Sequence, residues 1–102
     1  MVSRIQSIHF DADLKLLSFI ESKLNTLDHY IAGFAVSSMD VILKLENSGK
    51  LKEKVVELNL TLAGLPIAIR SKAKKFEDAF RKAYQQLKRA VIRYKDKLQS
   101  KH

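Results

Sequence analysis

Between residues 35 and 62 the chain changes its hydrophobic period, and that change limits the folds open to it. Ala35, Met39, Val41, Leu43 and Leu45 share one parity, while Ser38, Asp40, Lys44 and Glu46 share the other. The stretch Asn47-Ser48-Gly49-Lys50 then supplies residues that favour turns. Beyond it Val56, Leu58, Leu60 and Leu62 alternate with Glu57, Asn59 and Thr61. A period of two sends successive side chains to opposite sides of a strand, so these runs predict a hairpin with one dry and one wet face. A hairpin cannot bury an apolar face by itself, so the rest of the chain must cover it.

The flanking segments carry the period of that cover. Ile5, Ile8 and Phe10 mark a strand over 2–10, and Asp11 or Asp13 can cap the helix that follows. Leu14, Leu17, Ile20, Leu24, Leu27 and Ile31 recur at three and four and predict a helix over 13–29, with a turn at Tyr30–Phe34 marked by Gly33. Leu65–Ile69 reads as a further short strand in which Pro66, lacking an N–H, belongs near the start or at an edge. The segment from Arg70 to His102 reads as one amphipathic helix with a buried stripe of Phe76, Phe80, Ala83, Leu87, Val91, Tyr94 and Leu98. The order β-α-β-β-β-α predicts an α+β fold: a four-stranded mixed sheet with both helices on one face. The first two strands run parallel if they are neighbours and the others antiparallel. The open face of the sheet is lined by Ser38, Asp40, Lys44, Glu57 and Asn59. One domain over 1–98 is expected, with 99–102 as a short tail.

Charge is segregated along the chain. Residues 70–102 hold twelve Lys and Arg against three acidic residues, whereas residues 1–69 hold seven basic and eight acidic ones, so the net +8 comes from the last third. Such a patch holds and steers polyanions, because its field adds where scattered charges cancel. The chain has no cysteine, which excludes disulfides and thiolate chemistry. No apolar run approaches a membrane span or a signal peptide, and a soluble cytoplasmic protein is the expectation.

Along the basic helix two rows flank the apolar stripe. One is Lys74, Arg81, Lys88 and Lys95; the other is Lys75, Lys82, Arg89 and Arg93, with Lys97 beyond them. Each row is about 27–32 Å long at helical rise, enough to cross several phosphates. A solvated helix face, a membrane surface and a protein partner are the competing readings. Like charges repeated along one face are mildly unfavourable, and Glu is nearly absent after residue 57, which favours nucleic acid. Lys50, Lys52 and Lys54 decorate the hairpin tip as a solvated turn or an auxiliary contact, and Arg70 joins them as an auxiliary candidate. His9, His29 and His102 have no metal-binding spacing, the glycines stand singly, and no residue set provides both a nucleophile and acid–base groups. Neither an enzyme nor a cofactor or metal site is expected. Phe10, Phe19, Tyr30 and Phe34 read as core or rim, not as a base-stacking platform. The alternative to RNA binding is a protein-interaction module docking through the basic helix or a sheet edge.

The ordered combination IQSIHFDADLKLLSFIESKLNTLDHY, VILKLENSGKLKEKVVELNLTL, LPIAIR and KKFEDAFRKAYQQLKRAVIRYKDKL resembles the short form of the ribosome hibernation-promoting factor and ribosome-associated inhibitor family over nearly the whole chain. That resemblance implies a domain like a double-stranded-RNA-binding domain, seated on the small ribosomal subunit over the decoding channel. Its partner would be 16S rRNA, and it would block mRNA and tRNA in idle ribosomes. It also implies that Arg89, Arg93 and Lys95 match the family's basic run and that Lys97 continues it. Lys75 and Arg81 stand where many relatives carry Asp, Gln86 where many carry Lys, and Ala90 replaces a Gln. The short form lacks the dimerising C-terminal domain, so a monomer is expected, with ribosome pairing left to another factor.

Overall fold

The computed structural model describes residues 3–99, so the expected strand start at residue 2 and residues 100–102 of the expected tail 99–102 lie outside the described residues. The elements are β1 (Ser3–Ile8), α1 (Leu14–Ile31), β2 (Val36–Ser48), β3 (Leu51–Leu62), β4 (Leu65–Ala73) and α2 (Phe76–Gln99). The sheet runs β1-β2-β3-β4. β1 pairs parallel with β2, Ile5 lying opposite Val41, and the two following pairs are antiparallel. The expected order and mixed sheet are therefore present.

β1 stops at Ile8 because His9 takes a left-handed φ of 70° and turns the chain out of the sheet. Asp13 then caps α1: its Oδ1 accepts the Leu16 N–H at 2.8 Å. The inward face of α1 is Leu16, Ile20, Leu24, Leu27 and Ile31. Leu14, expected on that stripe, is 81% exposed. It precedes Leu16 by two residues, about 200° around the helix, and so points away.

The dry face of the hairpin is Met39, Val41, Leu43, Val56, Leu58, Leu60 and Leu62, all buried against the helices. Ala35 leaves this set. An irregularity in register between Val36 and Ser38 shifts the parity, and Ala35 is exposed with its carbonyl accepting the Ala63 N–H at 2.7 Å. Ala63 and Gly64 close the β3–β4 turn with φ of 49° and 84°, the double left-handed geometry that suits the twist of a tight hairpin.

The last strand is longer than expected. β4 continues through Ala73, with Arg70 opposite Glu57 and Lys72 opposite Val55. Ser71 is buried, and Ile67, Ile69 and Ala73 pack against the core, while Ala68, Arg70 and Lys72 are exposed. The helix therefore begins at Phe76, not Arg70. Its buried residues are Phe76, Ala79, Phe80, Ala83, Tyr84, Leu87 and Val91, with Tyr94 packed at the rim. No described helix is long and apolar enough to cross a membrane.

β4 runs parallel to β1 through two antiparallel steps and one parallel step. Each helix returns from the end of one of these strands, so α1 and α2 begin at the same end of the sheet. The β2–β3 turn lies at that end too, since Ile8 pairs with Lys44 and Ala73 is opposite Lys54.

Candidate nucleic-acid interface

The charged residues fall on two sides of the molecule and behave differently on each. On the open face of the sheet, bases and acids alternate across neighbouring strands, at the short separations cross-strand pairs allow. Arg4 Nε lies 3.3 Å from Asp40, Lys44 Nζ 2.7 Å from Glu57 and Lys72 Nζ 3.2 Å from Glu53. Arg70 donates to both Glu46 carboxylate oxygens, at 3.0 and 3.1 Å, and reaches Glu57 at 3.8 Å. Val55 is fully buried on this same face. Its register partners are Lys44 and Lys72, whose apolar stems cover it while their ammonium groups pair with acids. This face is polar and charge-balanced. Arg70, an auxiliary candidate in the sequence, belongs to it and not to the helix.

The helical side carries the surplus. Seven of the twelve basic residues after 69 lie on α2, two in the connection before it and two on β4, with Lys101 outside the described residues. The two rows read from the sequence differ in their surroundings. Lys82, Arg89 and Arg93 lie opposite the buried stripe, are exposed, and make no ion pair with any described residue. Lys74 and Lys75 are likewise exposed and unpaired, but they lie in the connection, ahead of the first helical residue.

Arg81, Lys88 and Lys95 face α1 instead. The Arg81 guanidinium lies 5.0 Å from the centroid of the Phe19 ring and pairs with Asp78 at 3.1 Å. Lys88 Nζ sits 4.7 Å from the centre of Tyr30. Lys95 Nζ donates to the Tyr30 carbonyl at 2.6 Å and lies 5.6 Å from the Phe34 ring. Cations over ring faces are held by the ring quadrupole. The Lys88 pKa is raised above the ordinary lysine value, first by its hydrogen bond to the Tyr30 hydroxyl and then by charge interaction with the same group. Tyr84, next along the seam, is raised by burial, and its hydroxyl is buried without a partner among the described residues.

The fold also joins clusters that are far apart in sequence. Lys54 Nζ lies 5.7 Å from the ring centroid of Phe76, at the start of α2. Lys54 and Lys75 line one cleft, together with the stacked rings of Phe10 and Phe76 at 4.4 Å. Lys52, Lys72 and Lys74 line another. The hairpin tip and the start of the basic helix are thus neighbours, and a band of basic residues continues from the tip along α2. Sequence reasoning missed the roles of Phe19, Tyr30 and Phe34 as seats for one basic row. The seven-residue spacing of Arg81, Lys88 and Lys95 was the available signal, but nothing in it says which side of α2 meets α1.

The chemistry of the band is cationic. Among the described residues no group of three or more histidine or acidic side chains is arranged to hold a metal. The arrangement defines a class of molecule: an α+β module with a balanced sheet face and a basic helical side. Residues 3–99 match the family model described as Sigma 54 modulation protein / S30EA ribosomal protein, and the chain belongs to that family. It is a family of ribosome-associated factors, marked by ribosome binding and translation regulation. Two solved structures share the fold. The Thermus thermophilus Protein Y N-terminal domain is 21% identical, with a TM-score of 0.74 covering 89% of this chain and 94% of that one. A ribosomal subunit interface protein from Coxiella burnetii is 19% identical, with a TM-score of 0.77 covering 94% and 99%. No curated protein matches the chain in sequence.

Proposed function

We propose that this protein binds 16S rRNA on the small ribosomal subunit near the decoding channel and blocks mRNA and tRNA while the ribosome is idle. The observation that carries this reading is the division of charge: acids neutralise the bases of the sheet face, while Lys74, Lys75, Lys82, Arg89 and Arg93 on the helical side have no acid partner among the described residues. Unpaired Lys and Arg can displace the counterions of RNA, a gain that grows with each phosphate neutralised. Membership of a ribosome-associated family supports ribosomal RNA as the polyanion that these cations meet. The similar fold from Coxiella burnetii is that of a ribosomal subunit interface protein, in keeping with a seat between subunits.

The mechanism is occlusion, without catalysis. Phosphate contacts position the module, and its bulk fills the path of mRNA and tRNA. Lys74, Lys75, Lys82, Arg89 and Arg93 supply mobile contacts, Arg81, Lys88 and Lys95 seated ones, and Lys50, Lys52 and Lys54 extend the band at the hairpin end. The protein acts in the cytoplasm as a monomer. Co-sedimentation with small subunits and whole ribosomes over a range of salt tests the reading. Binding should weaken steeply, with a log–log slope of roughly four to five if the five unpaired cations each meet a phosphate. Bound protein should also exclude initiator tRNA. Folded protein that fails to sediment with small subunits at low salt refutes ribosome binding, and undiminished initiator tRNA binding refutes occlusion.

A further inference from the structure

Tyr30 makes three separate interactions with the basic row that faces α1. Its ring lies under Lys88, with the ammonium 4.7 Å from the centroid. Its side chain raises the pKa of the same ammonium, which favours the charged form. Its backbone carbonyl accepts from Lys95 Nζ at 2.6 Å. One residue at the end of α1 therefore fixes two cations of α2 that stand two helical turns apart, about 10.5 Å along the axis. Phe34 adds a second ring near Lys95, and Arg81 is seated in the same way on Phe19.

Seating has a thermodynamic consequence. A free lysine or arginine loses rotamer entropy when it settles on a phosphate. Lys88 and Lys95 have lost part of that freedom on folding, whereas Lys82, Arg89 and Arg93 have no such partners among the described residues. A fixed array gains most from phosphates that are fixed as well. A folded RNA helix holds its phosphates in place, while a single strand must still be ordered against the array. The rings of the seam are also engaged, since Phe19, Tyr30 and Phe34 each already have a cation over them. A single strand is normally gripped by stacking its bases on aromatic rings, and the seam offers it phosphate contacts instead.

We propose, resting on the RNA-binding reading above, that Tyr30 is a positioning residue that holds Lys88 and Lys95 as a fixed cation pair, and that this pair makes the surface favour helical RNA over single strands. The chemical class of ligand is a folded RNA backbone, read by its shape. Lys82, Arg89 and Arg93 add affinity for either form of RNA, whereas Lys88 and Lys95 discriminate between them.

The test uses the full chain and two RNA probes with equal numbers of phosphates, a hairpin helix and a pyrimidine single strand, titrated across salt. Tyr30→Phe keeps the ring and the backbone carbonyl and deletes only the hydroxyl. It should weaken binding to the hairpin by about threefold or more, as loss of a polar neighbour of a charged group does, and leave the single strand unchanged. The salt slope should stay at the parent value, because no charge is removed. Lys88→Ala should lower that slope by about one, and adding Tyr30→Phe to it should cost nothing further on the hairpin, the sign that the two act as a unit. A residue with a purely structural role would instead lower the thermal midpoint and weaken both probes alike. Arg89→Glu is the control for RNA binding itself. If Arg89→Glu weakens both probes while Tyr30→Phe leaves the hairpin untouched or weakens both equally, the positioning role is refuted. If Arg89→Glu weakens neither, the RNA-binding reading falls and this inference with it.

Discussion

The open sheet face and the helical side both bristle with Lys and Arg, yet only one has charge to offer. On the sheet, Arg4, Lys44, Arg70 and Lys72 each stand within 4 Å of an acid on the neighbouring strand. On α2 the acids are Glu77, Asp78 and Asp96 against seven bases, and Asp78 already serves Arg81. The lesson is that a count of basic residues is a poor guide to a binding surface. What matters is whether the fold brings an acid to each base, and strand register does so here where helical spacing does not.

The largest test of this contrast is charge reversal on the exposed row. Arg89→Glu with Arg93→Glu should weaken binding to small subunits at least tenfold near 0.1 M salt and lower the salt slope by about two. The thermal midpoint should hold, since neither side chain touches the core. Unchanged binding would erase the distinction between the two sides. Next comes the hairpin end. Lys50, Lys52 and Lys54 replaced together by Ala should weaken binding about three- to fivefold, less than the helical pair, because the tip lengthens the band without forming most of it. A loss greater than that of the helical pair would move the main contact to the tip.

A smaller effect is expected on the balanced side. Glu57→Gln removes the carboxylate shared by Lys44 and Arg70. Denaturant unfolding should show a loss of about 0.5–1 kcal/mol, as for partly exposed pairs, while ribosome binding does not weaken. Weaker binding would mean that the sheet face, too, meets the ribosome. The smallest effect concerns the one polar group left unsatisfied in the seam. Tyr84→Phe removes a buried hydroxyl and should stabilise the fold by up to about 1 kcal/mol. The alkaline limb reports the same seam. Tyr84 and Lys88 both hold their protons more tightly folded than unfolded. Their contribution is therefore complete at neutral pH, and stability falls only as pH rises beyond the ordinary tyrosine value of 10.0. Tyr84→Phe should flatten that limb in a pH series of thermal midpoints.

Much of this architecture was legible because burial imposes a period. Met39 to Leu43 and Val56 to Leu62 alternate since one side of each strand meets the helices. The failures have local causes. Ala35 fits the parity by number, but an irregularity at Ser37 shifts the register, and only the pairing with β3 reveals it. Arg70 to Ala73 looked helical because Lys and Arg dominate the stretch. Its own alternation, with Ser71 inward and Arg70 and Lys72 outward, is that of a strand. The two basic rows looked equivalent since helical spacing is the same on both sides of the stripe. Which of them meets aromatic side chains depends on where α1 packs, a tertiary fact that no window of α2 contains.

β1 is a six-residue edge held to the sheet by β2 alone, and it reaches β2 only through the whole of α1. The three other strands are neighbours joined by tight turns. The meander can therefore close through local contacts, while β1 must await the docking of α1, a costlier loop closure. In the folded molecule the same topology divides the sheet into units of unequal protection. Amide protons shared by β1 and β2 should exchange with solvent through sub-global opening, well before those of β3, which is hydrogen-bonded on both sides. The N-terminal strand can then peel away and return while the basic helix remains seated on β3 and β4.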